Sequence, residues 1–128
     1  MTTVRWQRLC VLLGGLSGAM AVSFAAMGAH GVDGQAADWL GRGSHYQLVH
    51  AAVLVALGLG QGRGRWLKAA SALFLLGSIL FSGSLYAMAL AQLPVVFLVP
   101  AGGSCFILGW LALACSAFSP GSKQDQIT

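Results

Sequence analysis

Residues 69–91 read AASALFLLGSILFSGSLYAMALA, 23 residues without a charge. As an α-helix at 1.5 Å per residue such a run is about 35 Å long, enough to cross a hydrocarbon core of about 30 Å. Inside it, Leu80-Phe81-Ser82-Gly83-Ser84-Leu85-Tyr86 places small polar groups and a phenol where only lipid or other helices surround them. Polar side chains at that depth need partners on neighbouring helices.

The rest of the chain repeats the pattern. Hydrophobic residues make up 57% of the 128 and charged residues only 8%, against about 25% charged in soluble domains. Four apolar runs are expected to be helices, at about 9–29, 44–60, 67–91 and 96–118. The runs are continuously apolar and lack the alternation of membrane strands, so the expected fold is all-α, a single integral membrane four-helix bundle over residues 1–128.

The formal charge of +4 does not point to nucleic acid, because the basic residues sit at the ends of the runs and form no patch. Arg5, Arg8, Arg63, Arg65, Lys68 and Lys123 fall on one side of the expected topology, and Arg42 alone on the other. The positive-inside rule then puts both termini in the cytoplasm or its equivalent, an N-in/C-in multi-pass protein. Trp6 and Trp66 would lie near the inner interface and Trp39 near the outer one. The first run, Leu9 to Ala29, exceeds the 7–15 residues of a signal-peptide core and is expected to remain as a helix.

Within the bundle, Gly14 and Gly18 form a GxxxG, and Gly83, Gly102 and Gly103 are further positions where backbones could approach closely. Pro94 and Pro100 bracket the start of the fourth helix, where a missing amide hydrogen is tolerated. A long outer loop, His30 to about Ser44, is expected before the second helix, since Gly41 and Gly43 weaken helix there. If that segment were helical, Asp38, Arg42, Tyr46 and His50 would follow one another at i+4. Ser71, Ser78, Ser82 and Tyr86 form a matching stripe on the third helix.

This topology gathers His30, Tyr46, His50, Ser82 and Tyr86 at the outer end of the bundle as a polar cluster, either binding or structural. An ionisable residue inside a membrane signals function by default, yet His50 could equally pin helix two to helix three by a hydrogen bond. Ser82 and Ser84 have no base or acid relay, so no catalytic residue and no enzyme is expected. His45 and His50 diverge by about 140° on a helix, and Cys10, Cys105 and Cys115 form no CxxC pair. No metal and no cofactor is therefore expected. The expected partners are the lipid bilayer and another membrane protein or a second copy of the chain. A small accessory subunit suits these features, and a binder or carrier of a quinone-like or proton-coupled solute is the alternative.

Four motifs in order carry a family resemblance: Gly28-Ala29-His30-Gly31, Tyr46-Gln47 with His50, Leu80 to Tyr86, and Pro100-Ala101-Gly102-Gly103 with Phe106-Ile107 and Gly109-Trp110. Over roughly Leu9 to Ala117 the chain resembles the domain of unknown function 423 family, small four-helix membrane proteins that include transmembrane protein 256. The resemblance implies a fold and a bacterial inner-membrane location but no established reaction.

Overall fold

A computed structural model describes residues 2–119, so Lys123 and Asp125 lie outside the described residues. Among the described residues the protein is all-helical. Helix α1 spans Thr3–His30, α2 spans Gly34–Leu59, α3 spans Arg65–Ala91, and α4 spans Leu98–Cys115, followed by a 3-10 turn at Ser116–Phe118. Helices α1, α3 and α4 with its turn are long and apolar enough to cross a membrane. Helix α2 is equally long, but Asp38, Arg42, Gln47 and the histidines keep it out of that group.

The long loop expected after His30 is replaced by a tight turn at residues 31–33. Asp33 precedes the first turn of α2, and Gly34 adopts φ of 65°, which glycine reaches without penalty. Gly41 and Gly43 therefore lie inside α2 and do not delay its start to residue 44. Interior glycines cost about 1 kcal/mol each relative to alanine. Close packing offsets that cost at Gly43, where a Cβ would stand 2.8 Å from Cε1 of Tyr86.

The helix ends are locally specified. Thr2 caps α1 by accepting from the Arg5 amide at 3.3 Å. Gln7 in α1 donates its Nε2 to the carbonyl of Gly60 at 2.8 Å, so the start of α1 closes the end of α2. Pro100 falls in the first turn of α4, where no amide hydrogen is required.

The same packing device recurs in both helical hairpins. Val11 and Gly14 of α1 face Val55 and Gly58 of α2: a Cβ on Gly14 would meet Val55 at 2.8 Å, and one on Gly58 would meet Val11 at 2.6 Å. Phe74 and Gly77 of α3 face Phe106 and Gly109 of α4 in the same way, at 2.5 Å for Gly77 against Phe106 and 2.6 Å for Gly109 against Phe74. Each helix thus offers a large residue, two intervening residues and a glycine, and the antiparallel partner offers the same in reverse. The spacing of three puts knob and hole on one face. Gly102 fits the scheme too, since a Cβ there would collide with the backbone of Phe81.

The two hairpins meet through α2 and α3. Trp6, Cys10, Leu54, Ala70, Phe74, Phe106 and Ala112 form a buried apolar core drawn from all four helices. Trp6 is part of this core and does not stand free at the interface. Opposite Gly102, residues Ser78–Ser82 of α3 wind as a π turn, a feature that often marks functional positions.

Gly109→Ala should destabilise the protein, and Phe74→Leu should as well, each by about 1–3 kcal/mol. Because the Gly109 contact is with the Phe74 ring, the double variant should be less destabilised than the two costs summed. Thermal unfolding in detergent measures this coupling, and strict additivity would show that the two residues do not form a knob and hole.

Candidate functional site

Helix α2 buries Leu40, Gly43, Ser44, Gln47, His50, Ala51 and Leu54, an alternation of three and four that holds one face toward the protein. Tyr46 flanks that face and is 43% exposed. A stripe of pure i+4 steps drifts about 40° per step, which carries Tyr46 off the buried face and leaves Gln47 on it. The α3 stripe keeps its register, with Ser71, Ser78, Ser82 and Tyr86 all buried.

Gln47 is the hub. Tyr86 donates its hydroxyl to Gln47 Oε1 at 2.5 Å, and Gln47 Nε2 donates to the Ser17 hydroxyl oxygen at 3.1 Å. One side chain of α2 thereby ties α1 to α3. Nearby, Ser82 donates to the Gly43 carbonyl at 2.7 Å, a second bond between α3 and α2. The Tyr86 ring covers Gly43 and stacks on Phe24 of α1, with centroids 3.9 Å apart.

His50 sits lower on the same face and joins α2 to α4. Trp110 donates its indole N–H to His50 Nε2 at 3.1 Å, while His50 Nδ1 lies 2.6 Å from the Tyr46 carbonyl. An indole nitrogen only donates, so Nε2 accepts and Nδ1 carries the hydrogen toward the carbonyl. The ring is then neutral with both nitrogens engaged. It is sandwiched by aromatic contacts, stacked on Phe106 at 3.7 Å and tilted against Phe74 at 5.2 Å.

Of the five residues expected to cluster, Ser82 and Tyr86 bond to α2 at Gly43 and Gln47, while His50 bonds separately to Trp110 and the Tyr46 carbonyl. Tyr46 contributes its carbonyl to His50, and its ring packs on Phe81 at 4.7 Å. His30 is exposed in the last turn of α1, and the bonds that join the others do not reach it. Ser17 and Gln47 fall near the midpoints of α1 and α2, about 20 Å from either helix end, whereas Ser82 and Tyr86 lie within about three turns of the end of α3. Of the expected packing glycines, Gly14 and Gly102 are tightly covered, whereas Gly18 and Gly103 make only ordinary contacts at 3.9 Å. A Cβ on Gly83 would meet nothing within 4 Å.

Beside the hub, α1 and α3 diverge to leave a cleft of about 440 Å³. Leu13, Leu16, Ser17 and Met20 form one wall, Leu75, Ser78, Ile79, Gly83 and Tyr86 the other, and Gln47 the floor. Among the described residues, Ser78 Oγ is the buried side-chain oxygen without a hydrogen-bond partner. No group of three or more His, Cys, Asp or Glu residues capable of holding a metal comes together among the described residues.

These helices and motifs have relatives. The family described as "Protein of unknown function (DUF423)" matches residues 24–103. The chain belongs to this family. A UPF0382 membrane protein of Haemophilus influenzae is 36% identical over 109 residues, covering 80% of this chain and 88% of its own. A UPF0382 membrane protein of Staphylococcus haemolyticus is 37% identical over 121 residues, covering 87% of this chain and 96% of its own. The UPF0382 inner membrane protein YgdD of Escherichia coli K12 is 32% identical over 117 residues, covering 86% and 89%. No solved structure matches. With three helices of spanning length and these relatives, this DUF423 chain is a membrane protein of an uncharacterised family.

The matched segment, residues 24–103, contains Gln47, His50, Ser82 and Tyr86 but neither Ser17 nor Trp110. Sequence reasoning missed Ser17, and it named Gln47 and Trp110 within the family motifs without assigning them as bonding partners. Gln47 was signalled by the three-and-four alternation of α2, and nothing in the sequence alone pairs Trp110 with a histidine 60 positions away.

Tyr86→Phe strands the Gln47 carbonyl oxygen in the protein interior and should cost about 1–3 kcal/mol. Adding Gln47→Leu removes the stranded group, so the double variant should unfold closer to the parent than Tyr86→Phe does. Denaturation in mixed micelles checks the order, and a double variant less stable than the single would contradict the assigned bond.

Proposed function

We propose that this protein is a non-enzymatic four-helix bundle of the inner membrane, with both termini on the cytoplasmic side, that serves as an accessory subunit of a larger membrane complex. One observation carries the reading: the polar groups of the central network are engaged mainly with one another, so the surface offered outward is the apolar flank of the helices. Leu12, Leu16 and Met20 on α1 are 56%, 59% and 50% exposed. The connections at residues 31–33, 60–64 and 92–97 add little mass outside the membrane. What such a chain presents to other molecules is a surface in the plane of the bilayer.

The orientation rests on charge. Arg5, Arg8, Arg63, Arg65 and Lys68 gather at the end of the bundle that holds the start of α1 and the α2–α3 connection, and Arg42 lies toward the other end. Basic residues are retained on the cytoplasmic side during insertion.

A second reading, a binder of a small lipid-soluble molecule, is favoured by the cleft between α1 and α3. The two readings share Leu16 and Met20 of α1, while Leu12 belongs to the outward flank alone.

A photoreactive amino acid at Leu12 should give a discrete adduct with another integral membrane protein when irradiated in native membranes, and the same protein should co-purify in mild detergent. A self-adduct would make the partner a second copy of the chain. Lipid adducts alone, with a monomer on purification, would refute the accessory-subunit reading.

A further inference from the structure

The cleft between α1 and α3 is lined by hydrogen-bond donors that the protein itself does not use. Gln47 Nε2 carries two hydrogens, and one goes to Ser17. The Ser17 hydroxyl accepts that bond and has its own hydrogen to give. Ser78 forms part of the wall, is 8% exposed, and its Oγ has no partner. A serine at this position usually bonds back to the carbonyl four residues earlier. Rotation about χ1 between staggered positions would turn the hydroxyl to the cleft.

The one carbonyl oxygen among these side chains is already engaged, whereas the serine hydroxyls and the amide nitrogen have hydrogens to give. Gln47 Oε1 already accepts from Tyr86. Among the described residues no charged side chain lines the cleft, which is otherwise leucine, isoleucine, methionine, glycine and Tyr86. The site thus calls for a neutral molecule with an apolar body and an accepting oxygen. Its 440 Å³ falls within the about 300–1,000 Å³ of small-molecule sites.

Depth narrows the class further. Ser17 and Ser78 lie near the midpoints of α1 and α3. Phospholipid ester carbonyls sit at the edge of the hydrocarbon core, about 15 Å from its middle. A carbonyl that reaches mid-depth belongs to a molecule dissolved within the core. We propose that the α1–α3 cleft binds a neutral, hydrocarbon-soluble carbonyl compound of the quinone type, entering sideways from the bilayer and held by hydrogen bonds from Ser17, Gln47 and Ser78. The proposal rests on the small-molecule reading.

Gly83 supplies a clean test, because it lines the cleft and a Cβ there would meet no atom of a neighbouring helix within 4 Å. Gly83→Leu fills the cleft from the α3 side, and Leu16→Trp narrows it from the α1 side. With the full chain in lipid nanodiscs, a decyl-substituted benzoquinone should bind saturably at one per chain. Gly83→Leu and Leu16→Trp should each weaken binding at least tenfold while the unfolding temperature holds. Ser78→Ala should weaken it about fivefold, the scale of one neutral hydrogen bond. Dioleoylglycerol, with its carbonyls near the headgroups, should not compete.

Non-saturable binding, binding indifferent to all three substitutions, or equal competition by dioleoylglycerol would overturn the proposal. Mass spectrometry of lipids extracted with the parent and with Gly83→Leu separates the two levels of failure. A molecule lost on substitution but lacking a carbonyl would overturn the quinone-type assignment and leave the cleft a binding site. No lost molecule, together with no quinone binding, would overturn the small-molecule reading itself.

Discussion

Hydrocarbon offers no hydrogen bonds, so a helix with a polar face remains in a membrane only when its neighbours satisfy that face. Helix α2 is the element on which this constraint falls. It carries Ser44, Gln47 and His50 on its buried side and is not apolar enough to stand with the three helices that are long and apolar enough to cross a membrane. The other three helices each send one or more partners to it: Ser17 from α1, Ser82 and Tyr86 from α3, and Trp110 from α4. Their arrangement around α2 follows from that requirement.

Dispersion packing supplies the remainder. Lipid tails are as apolar as leucine, so helices associate in membranes through close fit rather than through exclusion of water. The reciprocal glycine pairs, Val11 and Gly14 with Val55 and Gly58, and Phe74 and Gly77 with Phe106 and Gly109, bring each hairpin to short range. The aromatic residues of the second set also enclose His50, so the packing device and the polar network share atoms. Close packing of α3 on α4 thus positions the Trp110 indole for its bond to the imidazole.

Much of this was legible in the residues. Length and apolarity located the helices α1, α3 and α4, and the spacing of Ser71, Ser78, Ser82 and Tyr86 marked the buried face of α3. The α2 segment was harder, because Gly41 and Gly43 argue locally against a helix and only the Tyr86 ring over Gly43 explains the second. The site was half legible. His50 and Tyr86 stood out as polar groups in apolar runs, but Gln47 was passed over for Tyr46 because an i+4 count drifts around a helix. Helix α2 begins at Gly34, ten residues before the start that its glycines suggest, and this places Gln47 near the midpoint of the helix rather than near its start. Val11 with Gly14, and Phe74 with Gly77, escape sequence reading because their meaning lies in the antiparallel partner.

Satisfaction of the α2 polar face by the other helices is tested most directly at its one ionisable buried residue. Nitrogen-15 NMR of the protein in bilayers, labelled at histidine and tryptophan, reports which His50 nitrogen carries the hydrogen and whether Nε2 lies near an indole nitrogen. The account predicts a neutral ring protonated at Nδ1, with Trp110 Nε1 about 3.1 Å from Nε2. An Nε2-protonated ring, or no proximity between His50 and Trp110, would contradict it.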